Sequence, residues 1–263
     1  MVVITRLRHL AGAFLLTLPL AGAAENASSD ARLSDAWLGY LQADERRVVW
    51  SHAFALREAT AEPLAGQRRR LLNELDTLVV AARVAGNATL TRGLAAWREA
   101  LADTPALPAR TPGRHDLPWL GANLRHDPAF DGIRHWGHCV VPDWVEIWHP
   151  GGVTRLEWGP GMDLDGALDR LPGEGHRGTD RATVITPSGE QVDRGIAAWN
   201  HQATPLSPGS RVLLALPQAG ERRGALPASV RQEISLVNER LPAYLATRLP
   251  GDDCTLQGKG EDE

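Results

Sequence analysis

The sequence predicts an α+β fold made of small β-rich domains, an inserted pair of helices and an amphipathic helix near the C-terminus. The 26 glycines and 18 prolines separate many short apolar runs, which is typical of several turns and small sheets rather than of one helical bundle. Helical spacing of leucines is confined to a few segments. The roughly 240 residues after the first 24 suit one large or two small domains.

Two helices are predicted in the first half of the chain. Leucines recur at three and four residues within Gly66–Val84, and Leu94–Leu101 repeats this pattern after a short turn. Helices joined by so short a loop form a hairpin, which we place at about 65–102. Pro105–Pro118 contains several prolines, so neither helix continues into it.

A compact β-rich unit is predicted over residues 143–218. Its order is two paired strands, a helix, two paired strands and a final strand: Trp144–His149, Val153–Trp158, Met162–Leu171, Ala182–Ile185, Gln191–Ile196 and Arg211–Leu216. The turn Pro187–Glu190 joins the second pair, with Pro and Gly supplying its dihedrals. We expect Trp97, Trp144 and Trp199 to be core anchors rather than sugar-stacking residues.

The C-terminal helix, placed at 226–249, is amphipathic. One stripe is apolar and the opposite face is charged; the stripe consists of Val230, Ile234, Val237, Leu241 and Leu245. The helix is too charged for a membrane span, so we expect it to pack on its own second domain, with a partner as the alternative. Pro242 should kink or interrupt it. Residues 250–263 are expected to form an acidic, disordered tail.

The first 24 residues have the features of a secretory signal. Arg6 and Arg8 precede the apolar run Leu10–Leu20, and small residues follow at Ala21–Ala23. The run is well short of the ~20 residues that span a bilayer, so a permanent anchor is the weaker alternative. Loss of the two arginines would take the net charge from −4 to −6. An acidic chain without a block of basic residues is not expected to bind nucleic acid. We therefore expect a cleaved, periplasmic protein.

Cys139 and Cys254 are the only cysteines. An exported chain meets an oxidising compartment, where a bridge between them would close a long loop and add on the order of 4 kcal/mol. The alternative is a buried, unpaired Cys139 and a Cys254 in a mobile tail. Both alternatives remain open at the level of sequence.

Several motifs resemble the capsule-biosynthesis GfcC-like family. The strongest similarity lies in Arg181–Pro217, where a PSGE turn, the run GIAAWN and the run LSPGSRVLLALP follow one another. Leu107–Pro108 followed by Thr111–Arg114 resembles the family's L-P-x-T-G-R element, with extra residues and a proline where the family has none. Gly137–Pro142 resembles its G-D-x-L-x-L-P segment without the usual Asp.

This resemblance implies two β-grasp domains related to the soluble-ligand-binding modules of polysaccharide exporters. The first would span 31–142 with the helical hairpin inserted into it, and the second 143–218. The implied partners are a polysaccharide or polysaccharide-export proteins. The resemblance also places Arg114 at the family's T-G-R arginine. Because arginine binds carboxylates and phosphates through a fork of N–H groups, Arg114 is the ligand-binding candidate; a structural pairing with a neighbouring carboxylate is the alternative.

Neither catalysis nor a cofactor is indicated. No G-x-S-x-G elbow, H-E-x-x-H or Walker loop occurs. His135, His138 and Cys139 have ligand-type side chains, and His126 and His149 would have to complete a zinc site. No second pair at finger-like spacing supports such a site, so we expect a strand edge and no metal.

The sequence therefore predicts a periplasmic, non-enzymatic accessory protein of capsule or exopolysaccharide biosynthesis and export. The alternative is a periplasmic glycan-modifying enzyme, a hydrolase or lyase, with unrecognised carboxylates in a cleft. The oligomeric state remains open.

Overall fold

The computed structural model describes residues 31–43, 47–172, 179–217, 219–220 and 225–258. The predicted signal peptide, residues 1–24, and the end of the predicted tail, residues 259–263, lie outside the described residues. The described residues form six α-helices and two sheets, which confirms the α+β class. Among them, no helix has both the length and the apolar character needed to cross a membrane.

The helices are α1 (Leu33–Ala43), α2 (Glu58–Val84), α3 (Ala88–Asp103), α4 (Leu117–Ala122), α5 (Leu164–Asp169) and α6 (Arg231–Ala246). The strands are β1 (Ala53–Arg57), β2 (Ile133–Cys139), β3 (Trp144–His149), β4 (Gly152–Glu157), β5 (Arg181–Ile185), β6 (Gln191–Gly195), β7 (Arg211–Leu214) and β8 (Cys254–Gly258).

The first sheet is antiparallel, with the strand order β1-β2-β8. Helices α1 and α4 contribute Leu33, Trp37 and Leu120 to its core, where they meet Ile133 and Trp136 of β2. The ring centroids of Trp37 and Trp136 lie 4.5 Å apart in an edge-to-face arrangement, a favourable geometry for aromatic pairs. This sheet therefore has its own small core.

Strand β8 corrects the prediction of a disordered tail over 250–263. Residues Cys254–Gly258 pair with β2 over its last five residues, and Cys254 lies directly opposite Cys139. The two sulfurs form a disulfide, which fixes the tail to the sheet. The first domain is consequently not the contiguous range 31–142, because its third strand comes from the C-terminal end.

The second sheet has the order β4-β3-β7-β5-β6. Strands β3 and β7 are parallel, and the other neighbours are antiparallel. Every residue of β3 and β7 is buried, because both faces of the sheet are covered. Helix α5 covers one face with Leu164 and Leu168, and its first turn is capped by Asp163, whose Oδ1 accepts from Gly166 N at 2.8 Å.

The opposite face of the second sheet packs on α2, α3 and α6. Trp148, Ile185 and Leu213 share one apolar core with the buried sides of these helices. The first helix of the hairpin begins at Glu58 rather than near residue 65. Asn87 caps α3 by accepting from Leu90 N at 2.9 Å. The hairpin thus packs on the second sheet as well as lying between β1 and β2 in sequence.

Helix α6 places its predicted stripe in this core. Its five members, Val230, Ile234, Val237, Leu241 and Leu245, are all buried, and α6 contacts α2, β5 and β6. The helix continues through Pro242, so the expected interruption is wrong. The side chain of Asn238, one turn earlier, exchanges two hydrogen bonds with the backbone of Leu216 and holds α6 against the segment after β7.

The tryptophan prediction is correct for two residues and wrong for the third. Trp97 and Trp144 are buried, whereas Trp199 is 74% exposed. Asn200 Oδ1 accepts from Ala197 N at 2.9 Å, and Asn200 Nδ2 donates to Asp180 O. These contacts close a tight turn after β6, and Trp199 is left on its outer side.

Candidate functional site

The connection that carries Arg114 joins the two sheets. Thr111 N donates to Ala55 O of β1, and Gly113 N donates to Ser188 O in the β5–β6 turn, both at 2.8 Å. Gly113 has a φ of 123°, a conformation that favours glycine. Beside it is a cavity of about 370 Å³, the Arg114 cavity, whose lining includes Trp50, His52, Arg114, Thr186, Ser188 and Pro208.

Arg114 is paired within the chain. Its Nε and Nη2 donate to Asp116 Oδ2 and Oδ1, both at 2.8 Å, and these bonds raise the pKa of Arg114. Asp116 Oδ1 also accepts from Trp119 N and caps α4. The structure therefore contains the carboxylate pairing named above as the structural alternative. The side chain of Arg114 is still half-exposed, so a ligand-binding role stays a prediction.

A serine–histidine pair lies in the wall of the same cavity. Ser51 Oγ is 2.9 Å from His52 Nδ1, and His52 Nε2 is 3.2 Å from Pro208 O. Because a carbonyl only accepts, a neutral imidazole donates from Nε2 and accepts the Ser51 hydroxyl at Nδ1. Burial lowers the pKa of His52, which favours this neutral form. No motif in the sequence marks this pair.

A second cavity, also of about 370 Å³, is lined by charged and aromatic side chains; its lining includes Glu146, Trp148, Arg155, Arg211, Tyr244 and Arg248. We refer to it as the arginine cavity. Its base is a row across three strands, because Glu146 of β3 lies opposite Arg155 of β4 and opposite Arg211 of β7. Arg155 Nε is 2.9 Å from Glu146 Oε2, and Arg211 Nε is 3.3 Å from Glu146 Oε1. The register of the strands therefore brings Glu146, Arg155 and Arg211 together.

The loop before β8 adds an exposed carboxylate to the row. Asp252 Oδ2 accepts from Arg155 Nη1 at 2.8 Å and from Trp144 Nε1 at 2.9 Å. The Arg155 guanidinium lies 4.3 Å from the Trp144 ring centroid, within the range of a cation–π contact. Asp252 is held here because the Cys139–Cys254 disulfide anchors the chain two residues later.

Two further arginines, Arg110 and Arg248, lie next to the cluster, and among the described residues neither has a carboxylate partner. Arg248 donates to the carbonyl oxygens of Pro105, Ala106 and Pro108 and to the Tyr244 hydroxyl. Arg110 donates from Nε to Ala246 O at 3.0 Å and from Nη2 to Thr186 O. Both are buried, and the partners that the described part of the chain offers to their charges are neutral oxygens.

Burial lowers the pKa values of Arg110, Arg211 and Arg248, and nearby guanidinium groups lower them further: Arg211 and Arg248 act on Arg110, Arg248 and Arg155 act on Arg211, and Arg68 acts on Arg248. For Glu146, burial alone would raise the pKa, but the Arg211 charge and hydrogen bonds from Trp148 and Arg155 lower it below its ordinary value. In addition, Arg211 Nη1 is buried without a hydrogen-bond partner among the described residues. The cluster is thus a region of concentrated positive charge.

The side chains considered above as possible metal ligands make other contacts in the structure. His135 Nε2 lies 2.6 Å from Ala109 O, His149 Nε2 lies 3.0 Å from Thr154 Oγ1, and the ring of His126 packs on Trp119. Cys139 is in the disulfide. Within the described ranges, no group of three or more His, Cys, Asp or Glu side chains is arranged to hold a metal ion.

Comparison with known families gives one finding about the second half of the chain. Residues 153–250 match the family model described as "Capsule biosynthesis GfcC C-terminal". The match supports the resemblance predicted from the sequence, and it spans Arg155, Arg211 and Arg248 but not Arg114 or Asp252. No curated protein matches the chain.

Proposed function

We propose that this protein, whose residues 153–250 match the family model of the GfcC C-terminal unit of capsule biosynthesis, is a periplasmic, non-enzymatic accessory protein of capsule or exopolysaccharide biosynthesis and export. The family match is the observation that carries this proposal. The match supports a role in capsule biosynthesis, and the proposal adds the location, the absence of catalysis and the partner.

We assign the second unit, residues 143–218, to the β-grasp fold. Its support is the order β4-β3-β7-β5-β6, in which the parallel pair β3 and β7 is flanked by two antiparallel hairpins and one face is covered by the single helix α5. The first unit is assigned to the same fold, with α2 and α3 inserted, on the resemblance of the sequence. Tandem units of this kind would present a glycan or an export protein with a rigid, two-sheet surface.

Glycan binding is the activity that the side chains favour. Both cavities contain arginine, which forms paired hydrogen bonds to carboxylates and phosphates, next to aromatic rings. In the Arg114 cavity, the Nε and Nη2 groups of Arg114 already donate to Asp116. A ligand there would therefore bind through the remaining N–H groups of the guanidinium. Arg114→Ala should weaken binding of an acidic glycan if the prediction for this residue is right.

The proposal is tested by incubating the purified protein with the polysaccharide of its own host. Calorimetry measures binding, and size-exclusion chromatography of the glycan measures its chain length. Binding with unchanged chain length supports the accessory function, and shortened chains contradict it. The mass of the protein recovered from the periplasm should start near Ala24 or Glu25; retention of Met1 would contradict export through a cleaved signal.

A glycan-modifying enzyme is the second candidate, and the Ser51–His52 pair is the observation that favours it. A serine hydroxyl bound to a histidine whose other nitrogen is oriented by an acceptor is the arrangement of an activated nucleophile. We rank this candidate second because it rests on that one set of contacts. If glycan is hydrolysed, Ser51→Ala should abolish the hydrolysis while glycan binding persists.

A further inference from the structure

The buried charge at the arginine cavity is mostly positive. Arg211 and Arg248 are buried in its lining, and the buried Arg110, outside the lining, interacts electrostatically with both, whereas Glu146 is the buried carboxylate bonded to Arg211. The half-exposed Arg155 is balanced by the exposed Asp252. An excess of buried like charge raises the free energy of the folded protein unless an anion offsets it.

Helix α6 explains part of this cluster without any ligand. Arg110 donates to Ala246 O, and Arg211 Nη2 donates to Leu249 O at 3.0 Å, so both arginines satisfy carbonyl groups at or just after the C-terminus of α6. A helix C-terminus carries the equivalent of about half a negative charge. This partial negative charge is smaller than the excess of buried positive charge. In addition, Arg211 Nη1 lacks a hydrogen-bond partner among the described residues.

The geometry around Asp252 indicates what kind of anion the site accepts. The Asp252 carboxylate binds a guanidinium and an indole N–H together, through Arg155 Nη1 and Trp144 Nε1. Its side chain is 61% exposed, and it belongs to a loop rather than to the sheet. A site that already holds an exposed carboxylate can exchange it for another carboxylate, because the donors are in place and only the acceptor moves.

The rest of the cavity has room for a sugar ring beside that carboxylate. Leu101, Trp148, Tyr244 and Leu245 form its floor and are almost fully buried, so they bound the site rather than stack on the ring. Its volume of about 370 Å³ lies at the small end of the ~300–1,000 Å³ usual for ligand sites. One or two sugar units would fill it.

We propose that the arginine cavity binds a hexuronate unit of an acidic glycan, whose carboxylate replaces Asp252 on Arg155 and on Trp144 Nε1. In the free protein, Asp252 occupies the position of the ligand's carboxylate. On binding, Asp252 is released to solvent, while Glu146 stays between Arg155 and Arg211 and keeps both guanidinium groups oriented. This proposal rests on the proposed function of glycan binding and names the site and the substrate class.

The test compares four proteins by calorimetry with hexagalacturonate as the probe. These are the wild type, Arg155→Gln, Asp252→Asn and the control Arg98→Gln. Arg98 is matched to Arg155 because their side chains are 46% and 47% exposed and each pairs with an aspartate. We expect Arg155→Gln to weaken binding about tenfold or more, as loss of a charge-assisted contact does. Asp252→Asn should strengthen binding several-fold because it removes the competing carboxylate, and Arg98→Gln should change nothing.

Two further binding measurements test which chemical group of the ligand is recognised. The carboxyl-reduced, neutral hexagalactose should bind at least tenfold more weakly than hexagalacturonate. Inorganic phosphate should compete only at concentrations far above those of the oligosaccharide; equal competition would mean a general anion site and would overturn the hexuronate assignment. Equal affinity of the wild type and Arg155→Gln, or weaker binding by a folded Asp252→Asn, would overturn the site.

Failure of this proposal can be separated from failure of the proposed function. If Arg155→Gln binds the host polysaccharide as the wild type does, the arginine cavity is not the site, and glycan binding stands. If the wild type binds no host polysaccharide, the glycan-binding function itself fails. Thermal melting of Arg155→Gln reports whether the variant is folded, and Asp252→Asn tests the site without removing a member of the Arg155–Glu146–Arg211 row.

Discussion

Trp97 Nε1 donates to His149 O at 2.9 Å and to Gly152 O at 3.0 Å, so the second helix of the hairpin is bonded directly to the β3–β4 turn. Trp97 is fully buried, and a buried carbonyl without a partner would be costly. Trp97 also packs edge-to-face on Trp148, with ring centroids 5.8 Å apart. The hairpin and the second sheet therefore form one cooperative core.

This close approach predicts that Gly93→Ala destabilises the protein. A Cβ at Gly93 would lie 2.0 Å from Pro150 O, so α3 and the β3–β4 turn would have to separate. Overpacking of this kind costs about 1–3 kcal/mol and outweighs the ~1 kcal/mol that alanine gains in a helix. The matched control is Gly66→Ala in α2, where no atom lies within 4 Å of the added Cβ. In urea unfolding, Gly93→Ala should lower the free energy of unfolding and Gly66→Ala should raise it. Stabilisation by both substitutions would contradict this packing.

The buried stripe of α6 predicts a large loss of stability for Leu241→Ala. Leu241 is fully buried in the core shared with α2 and the second sheet, and such truncations cost about 2–5 kcal/mol. Leu124→Ala is the control because Leu124 is exposed and the chemical change is the same; its effect should stay within about 0.5 kcal/mol. Similar small effects at both positions would mean that α6 serves a partner surface instead.

The Cys139–Cys254 disulfide predicts that reduction lowers the melting temperature. The cysteines are 115 residues apart in sequence, and the chain-entropy model assigns about 4–5 kcal/mol to closure of so long a loop. Cys254→Ser should melt like the reduced wild type and should respond no further to reductant. A non-reducing peptide map identifies the linked peptides. Free thiols in the oxidised protein, or melting that reductant does not change, would contradict the bridge.

The sequence predicted the second sheet well because its signals are local. Each strand from Trp144–His149 to Arg211–Leu214 is an apolar or alternating run next to a Gly or Pro turn. Helix α6 was predictable for the same reason, since its stripe repeats every three or four residues. Pro242 was misjudged because a helix packed against a sheet can accommodate a proline at a cost that tertiary contacts offset.

Strand β8 was missed because nothing local marks it. Cys254–Gly258 is short and mostly polar, and it is a strand only because it pairs with β2, more than a hundred residues away. The arginine cavity was missed for a related reason. Glu146, Arg155 and Arg211 meet through strand order and register, which the residue types alone do not specify. For Arg114, in contrast, the partner Asp116 was two residues away and visible in the sequence.

The stability of the protein in acid should depend on His115, next to Arg114. His115 is buried, and its Nδ1 lies 3.2 Å from Gly113 O. Burial and the charge of Arg57 lower the pKa of His115 from 6.5 to about 4. As the pH falls below about 6.5, the unfolded chain therefore takes up a proton that the folded protein excludes. Stability is lost from about pH 6.5 down to about pH 4, by ~1.4 kcal/mol per pH unit from this residue.

Between pH 6.5 and 5, most carboxylates remain ionised in both states, so the histidine contribution can be separated from theirs. Urea unfolding should show that His115→Asn loses about 2 kcal/mol less over this interval than the wild type does. A smaller dependence should persist in this variant because burial also lowers the pKa of His52. The control His126→Asn removes an exposed histidine. If His115→Asn retains the full wild-type slope, His115 takes up its proton as readily in the folded protein as in the unfolded chain, and the connection between the two sheets must be more open to water than its burial implies.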